Sequence, residues 1–192
     1  MNTQPQDNPK MTPEGYLEFE RTSEIRHEYF DGEIFAMTGA SLNHNRVNGN
    51  MFNEIKNQLK KSPCDAFAND MRVKVNELET YTYPDIVVVC GDIELEKIKG
   101  LETLVNPTVI IETLSNSTEA YDRGKKFQHY RLLPSLQEYI LVSQHHCLVE
   151  KYVHSDDGSW RYFSYEAMEQ TLTIESIHCE VLLSDVYYRV EF

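Results

Sequence analysis

The chain lacks the long apolar segments that cross membranes or direct secretion. No run in its 192 residues approaches the roughly 20 apolar residues that a membrane-spanning helix requires. The segment Met1 to Lys10 is polar, contains Pro5 and Pro9, and has no apolar stretch after a basic start, unlike a secretory signal. We therefore expect a cytoplasmic protein without membrane association, and a loose N-terminal tail over residues 1–11.

Cysteine is scarce and widely spaced. The cysteines never form a Cys-x-x-Cys pair, so their spacing announces no zinc site. They are Cys64, Cys90, Cys147 and Cys179. Because disulfides are rare in a reducing compartment, the expectation is four free thiols.

Basic residues are outnumbered. Lys and Arg total 18 against 31 Asp and Glu, which gives a formal net charge of −13 and argues against a broad electrostatic grip on nucleic acid. The densest basic stretch runs from Arg123 to Arg131. It has two interpretations, a local phosphate-facing surface or a solvated helix face, and charge alone favours the second.

What the chain does contain is an alternation of helical and extended patterns. Thr12 before Pro13 predicts a helix start, and Asp31-Gly32 between two strand-like runs predicts a hairpin. The expected elements are a helix over 12–22, a hairpin over 27–37, a helix over 41–61 capped by Ser41 or Asn43, strands over 65–69, 71–76, 86–90 and 108–114, a loop or short helix over 91–106, a helix over 116–133 capped by Asn116, a strand over 138–143, a hairpin over 147–165 and short strands in 172–192.

This order predicts one α/β (α+β) domain over residues 12–192, with a central mixed sheet flanked by helices, an N-terminal hairpin and extra C-terminal strands. The runs Ile86 to Cys90 and Thr108 to Leu114 are nearly continuous and β-branched, which is typical of central strands covered on both faces. The aromatic C-terminal region, Trp160 to Tyr188, either completes the monomer core or packs in a homodimer.

Two acids stand in unusual positions. Asp85 opens a buried-looking strand directly after Pro84, and Glu112 lies inside the apolar run Val109 to Leu114. A buried carboxylate is costly unless a cation or several donors compensate it. Adjacent strands would bring the two acids together as a Mg²⁺ site, since Mg²⁺ prefers carboxylates and retains waters. The alternative is a separate salt bridge, or solvent contact, for each acid.

Lys126 strengthens the metal-site interpretation. On a helical wheel it lies at the border of the apolar face, beside Asp122 and Tyr130, whereas Lys125 points to solvent. An ammonium group beside two metal-binding carboxylates can orient a water and stabilise a charged phosphoryl transition state. The alternative is a surface lysine paired with Asp122.

The ordered motifs resemble the Uma-two family, a branch of the PD-(D/E)XK nuclease superfamily with a restriction-endonuclease-like fold. The matching segments are Pro84 to Val89, Ile111 to Ser115, Tyr121 to Phe127 and Ser135 to Tyr139, with Asp31-Gly32-Glu33 and His44 upstream. The chain departs from the superfamily pattern at Leu114, where a lysine normally stands, and Lys126 matches the helix lysine that takes its place.

The resemblance implies roles for particular residues. Asp85, Glu112 and the backbone carbonyl of Thr113 would bind Mg²⁺ or Mn²⁺, and Lys126 would position the attacking water. Glu33 and His44 match positions that line the site. His44 would be a general base or a phosphate contact, although a histidine at a helix N-terminus is more often a polar surface residue.

The function expected on this basis is Mg²⁺-dependent endonucleolytic hydrolysis of DNA. A rival is a catalytically inactive nuclease-fold domain that binds nucleic acid or protein, which the charge of −13 favours. A third interpretation is hydrolysis of another phosphate ester at the same site. No recognisable base-reading motif occurs in the sequence.

Overall fold

The computed structural model describes residues 10–37, 39–75, 79–115 and 118–192. Within these ranges the helices are α1 (Pro13–Thr22), α2 (Leu42–Gln58), α3 (Glu119–Tyr121), α4 (Phe127–Tyr130) and α5 (Leu183–Val186). A 3₁₀ turn (Leu59–Lys61) extends α2, and a π-helical turn (Asp122–Lys126) joins α3 to α4. None of the helices described is long and apolar enough to cross a membrane.

The strands fall into two large sheets and a hairpin. In chain order they are β1 (His27–Phe30), β2 (Glu33–Ala36), β3 (Cys64–Ala68), β4 (Val73–Val75), β5 (Thr80–Thr82), β6 (Ile86–Cys90), β7 (Leu95–Ile98), β8 (Leu101–Leu104), β9 (Val109–Leu114), β10 (Glu138–Ser143), β11 (Val149–His154), β12 (Trp160–Tyr165), β13 (Thr171–Ile174) and β14 (Cys179–Leu182). The N-terminal sheet has the order β2-β1-β5-β4-β8-β7, and the central sheet has the order β12-β11-β10-β9-β6-β3. Both are mixed, since β4 pairs with β8, and β9 with β10, in parallel.

The predicted mixed α+β class is confirmed, but the strands of the described residues form two six-stranded sheets where one central sheet was expected. Part of the N-terminal sheet comes from residues 91–106, which were predicted as a loop or short helix and which form β7 and β8. Lys99 and Gly100, both with positive φ (50° and 86°), turn this hairpin. The short, charged strands gave only a weak extended pattern.

The central sheet is buried on both faces, as its β-branched strands predicted. Along β6, Ile86 and Val88 face one core with α2 and the β13–β14 hairpin. Val87 and Val89 face a second core, which the N-terminal sheet and α4 complete. This double cover explains why β6 and β9 read as continuous apolar runs.

The N-terminal region follows its local signals. Thr12 caps α1, its hydroxyl accepting from the amide of Gly15 at 3.1 Å. Asp31 and Gly32 both have positive φ, as a two-residue hairpin turn requires. A Cβ at Gly32 would lie 2.5 Å from Cβ of Lys10, so only glycine fits. Lys10 and Met11, assigned to the tail, pack against this hairpin.

The long helix predicted over 116–133 is interrupted, because the π-helical turn separates α3 from α4. Its last helical segment, α4, ends at Tyr130. Its predicted cap, Asn116, lies outside the described residues, as does Asn76, the predicted end of a strand. Ser41 rather than Asn43 caps α2, accepting from the amide of His44 at 3.0 Å.

The expectation of four free thiols is wrong. Cys64 and Cys90 form a disulfide, and Cys147 and Cys179 are free. The bonded cysteines are paired positions on antiparallel β3 and β6, although 26 residues separate them in the chain. Such a pairing has no local signature in the sequence.

Candidate active site

The two candidate acids meet because of strand register. Antiparallel pairing sets Ile86 of β6 opposite Ile111 of β9, so Asp85 and Glu112 are the next opposed residues. The amide of Asp85 donates to Oε2 of Glu112 at 3.4 Å, and the amide of Thr113 donates to Oδ2 of Asp85 at 2.7 Å. The structure therefore places both carboxylates at one end of the β6–β9 pair.

Lys126 reaches this pair from the π-helical turn. Its Nζ lies 3.0 Å from Oε1 of Glu112, 3.0 Å from Oε1 of Glu28 and 3.4 Å from Oδ1 of Asp122. The lysine contacts Asp122 as well as the sheet acid, but it is buried, so the alternative of a surface lysine is wrong. Its neighbour Lys125 is exposed, as the helical wheel predicted.

The turn that carries the lysine is anchored to the central sheet. The hydroxyl of Tyr139 in β10 donates to the carbonyl of Asp122 at 3.0 Å. Asp122 and Lys126, the ends of the π-helical turn, are both buried, whereas Lys125 between them is not. The turn thus directs one cation and one acid inward.

Two further residues of the site were not predicted. Glu28 of β1 contacts Lys126 and accepts from the amide of Tyr83 at 3.1 Å. The hydroxyl of Tyr130 lies 3.0 Å from Oε1 of Glu112 and 2.9 Å from the hydroxyl of Thr82. Glu28, like Glu112, is an acid in an aromatic or apolar strand run, and the same criterion would have found it.

The site concentrates negative charge around one ammonium. Burial raises the pKa of Glu112 well above its usual range, Asp122, Asp85 and Glu28 raise it further, and Lys126 opposes them. Burial alone would lower the pKa of Lys126, but Glu112 and Glu28 outweigh it and raise the pKa. The lysine is therefore an ammonium group at neutral pH and serves as a donor, not as a base.

The two upstream candidates differ in position. Nε2 of His44, in the first turn of α2, lies 3.3 Å from Oδ2 of Asp85, while its Nδ1 is buried without a hydrogen-bond partner among the described residues. Burial lowers the pKa of His44, but the hydrogen bond and charge of Asp85 outweigh it and raise the pKa. Glu33 is exposed beside the hairpin turn, outside the cluster around Lys126.

The donor set fits a hard cation with few protein ligands. Oε1 of Glu112 is engaged by Lys126 and Tyr130, whereas Oε2 faces Asp85. In the part of the chain that is described, no three His, Cys, Asp or Glu side chains are arranged to hold a metal. Two carboxylates are nevertheless a common protein contribution to a Mg²⁺ site, because Mg²⁺ retains several waters.

A mixed sheet, an acid pair at adjoining strand positions and a buried lysine beside it together define a protein of the restriction-endonuclease-like class. Residues 13–184 match the Uma2 family, described as "Putative restriction endonuclease", and the chain belongs to this family.

Similar sequences occur in Synechocystis sp.. The chain is 37% identical to Uncharacterized protein slr1290 of Synechocystis sp. over 181 residues, which cover 94% of this chain and 93% of that protein. It is 34% identical to Uncharacterized protein sll1609 of the same organism, over 78% of this chain and 84% of that protein. The crystal structure of "a putative nuclease belonging to DUF820" from Anabaena variabilis matches with a TM-score of 0.75 and 18% identity, over 92% of this chain and 97% of that one. This structural likeness shows a shared fold.

Proposed function

We propose that the chain is a Mg²⁺-dependent endonuclease that hydrolyses phosphodiester bonds in DNA. The observation that carries the proposal is the convergence of Asp85, Glu112 and Lys126. These residues come from the start of β6, the middle of β9 and the π-helical turn, and hydrogen bonds join them. Membership of a family described as "Putative restriction endonuclease" supports phosphodiester hydrolysis as the reaction.

Asp85 and Oε2 of Glu112 would hold the cation, with the carbonyl of Thr113 as a further ligand. Mg²⁺, or Mn²⁺, supplies Lewis acidity and lowers the pKa of a bound water. The amide of Thr113 fixes Oδ2 of Asp85, and Lys126 with Tyr130 fixes Oε1 of Glu112. These contacts hold the two carboxylates in position before substrate arrives.

Lys126 would orient the attacking water and donate to the charged phosphoryl group. An ammonium group has three donors, and in this structure Lys126 faces three carboxylates. It must therefore exchange one of these contacts to reach a water. The longest of the three, to Asp122 at 3.4 Å, is the one that we expect it to give up.

His44 would contact a phosphate oxygen. Its pKa is raised, which favours the imidazolium form, and an imidazolium donates but cannot accept a proton. A donating imidazolium suits a phosphate contact, whereas a general base needs the neutral form. DNA as substrate, a cytoplasmic location and a homodimer, which would suit double-strand cleavage, remain parts of the proposal.

The test is cleavage of labelled single- and double-stranded DNA with Mg²⁺ or Mn²⁺, beside an EDTA control. We expect wild type to cut and Asp85→Asn, Glu112→Gln and Lys126→Ala to lose cutting while remaining folded by circular dichroism. Lys125→Ala is the matched control, because it removes the exposed neighbouring lysine and should cut as wild type does.

Each outcome decides a separate point. Cutting that survives in Lys126→Ala keeps the nuclease and removes the role assigned to the lysine. A folded wild type that binds DNA equally well in EDTA, and cuts no substrate, supports the inactive binding domain instead. Cutting of a small phosphate ester without cutting of DNA supports the third interpretation.

A further inference from the structure

A cavity with charged walls lies beside Tyr83, near the site. It has a volume of ≈400 Å³, and Arg26, Arg72, Lys97 and Tyr83 lie in its wall. Tyr83 stands two residues before Asp85, and its amide donates to Glu28 of the site at 3.1 Å. Another wall residue, Asp70, follows Asn69, whose amide donates to the carbonyl of Asp85 at 3.0 Å. Tyr83 therefore connects the wall of the cavity to the acid–lysine site.

Most charges of the cavity are paired at its rim. Arg26 lies 3.6 Å from Asp70, and Lys97 lies 2.7 Å from Glu102, all four in the cavity wall. All four side chains are exposed, so these pairs are weak and open to exchange. Because each rim pair is neutral, the positive charge of Arg72 is the net charge of these wall residues.

Arg72 is buried and fixed in place. Only 2% of the residue is exposed. Its Nε and Nη2 both donate to the hydroxyl of Thr103, at 2.9 and 2.7 Å, and its guanidinium lies 5.6 Å from the ring centre of Tyr81. Its remaining nitrogen, Nη1, is buried and has no hydrogen-bond partner among the described residues.

The guanidinium also lacks a carboxylate partner. None of the acids described forms an ion pair with Arg72. Glu20, the buried acid behind Tyr83, is occupied by the Tyr83 hydroxyl at 2.9 Å and the His27 amide at 3.1 Å. A buried charge without a partner costs free energy that an anion in the cavity would offset.

We propose that this cavity binds a phosphate group of the nucleic-acid strand, adjacent to the phosphodiester at Asp85 and Glu112. The inference rests on the proposed function for the identity of the strand. A guanidinium suits phosphate because it is a permanently charged donor group; Thr103 holds Nε and Nη2, and Nη1 is the nitrogen left to donate to a phosphate oxygen. In a chain of net charge −13, such a site would supply local attraction that the whole surface does not.

The experiment measures binding of a labelled oligonucleotide by fluorescence anisotropy, in EDTA to prevent cutting, over a range of KCl concentrations. Arg72→Met removes the charge and keeps the volume. We expect the slope of log K against log salt to become shallower by about 0.7 for a single strand and about 0.9 for a duplex, as for one lost phosphate contact. Lys60→Gln, an exposed lysine in the turn after α2, is the control and should change the slope less.

A second variant covers the risk that Arg72→Met misfolds. The double change Arg26→Gln and Lys97→Gln alters only exposed side chains, leaves Asp70 and Glu102 unpaired in the wall, and should weaken the same binding. Slopes and affinities equal to wild type in every folded variant would overturn the inference.

Calorimetric titration with inorganic phosphate separates the two sources of the anion. Loss of both phosphate and oligonucleotide binding in Arg72→Met supports a strand phosphate. Loss of inorganic phosphate binding with an unchanged oligonucleotide slope means a free anion and overturns it. Cleavage by wild type, measured separately with Mg²⁺, tests the nuclease itself, so either proposal can fail while the other stands.

Discussion

Four acids, Asp85, Glu112, Glu28 and Asp122, act on one another at this site, and Lys126 contacts three of them. Such an excess of like charge destabilises the folded chain when no cation is bound. Functional sites commonly carry this kind of cost, because the arrangement that binds substrate or metal is not the one that maximises stability.

We predict that Glu112→Gln raises the free energy of unfolding in EDTA by roughly 0.5–2 kcal/mol, because it removes a buried carboxylate whose pKa is raised. The sign follows from linkage: the folded chain binds this proton more tightly than the unfolded chain. The stabilisation that this protonation gives the folded chain is present at low pH, and it is lost as the pH rises through the folded-state pKa of Glu112. Urea unfolding of wild type and variant between acid and neutral pH measures the effect.

Lys126→Ala should have the opposite effect and lower stability by about 3–5 kcal/mol, since it leaves buried acids uncompensated. Glu94→Gln, at an exposed acid, is the control and should stay within about 0.5 kcal/mol of wild type. A Glu112→Gln variant less stable than wild type at neutral pH would contradict the charge-excess explanation.

The sequence was sufficient to predict those site residues that a single local pattern identifies. Asp85, Glu112 and Lys126 were found because a charge in an apolar run, or at the border of an apolar helix face, is costly without partners. The pairing of Lys126 with Glu28 was not found, because it joins strand β1 to the π-helical turn and depends on tertiary packing. Glu33 was chosen because it matches a family motif, but it is exposed beside the hairpin turn and lies outside the cluster.

At the scale of elements, the π-helical turn at Asp122–Lys126 is the least expected feature. It contains Gly124, where a Cβ would meet nothing within 4 Å. We predict that Gly124→Ala raises stability by about 0.4–1 kcal/mol, because alanine restricts the unfolded chain, and leaves DNA cleavage unchanged. Thermal unfolding and the cleavage assay check both parts. Loss of cutting with retained stability would mean that substrate approaches the backbone at this glycine.

The disulfide between β3 and β6 gives a second prediction at this scale. Closing the 26-residue separation between Cys64 and Cys90 should stabilise the fold by about 3 kcal/mol, so dithiothreitol should lower the melting temperature. The double variant Cys64→Ser and Cys90→Ser should melt at the lower temperature with or without reductant. If the melting temperature of wild type is the same with and without reductant, the disulfide does not contribute to stability.

Element types were predictable where periodicity was strong, as in α1, the β1–β2 hairpin, β6 and β9. They were not predictable where short strands obtain their stability from neighbours. β7 and β8 each have four residues and depend on β4 to extend the N-terminal sheet. The N-terminal sheet was not predicted, because pairing between segments that are distant in the chain produces no periodic pattern in the sequence.

At the scale of the whole molecule, the two sheets share a core. Val73 and Leu104 of the N-terminal sheet pack in the same cluster as Val87 and Ile110 of the central sheet. We therefore predict that residues 12–192 unfold as one domain in a single transition. Calorimetry should give equal calorimetric and van't Hoff enthalpies, and two resolved transitions would instead indicate separate units.

The bond between Cys64 and Cys90 has a consequence for strand alignment. The two cysteines are opposed positions of β3 and β6, and β3 is the outer strand of the central sheet. A slip of one residue of β3 along β6 would turn every side chain of β3 to the opposite face and take Ala66 out of the core that it shares with Ile86 and Val88. The covalent cross-link at Cys90 forbids that slip, so the oxidised chain keeps its outer strand in register and this face of the sheet covered.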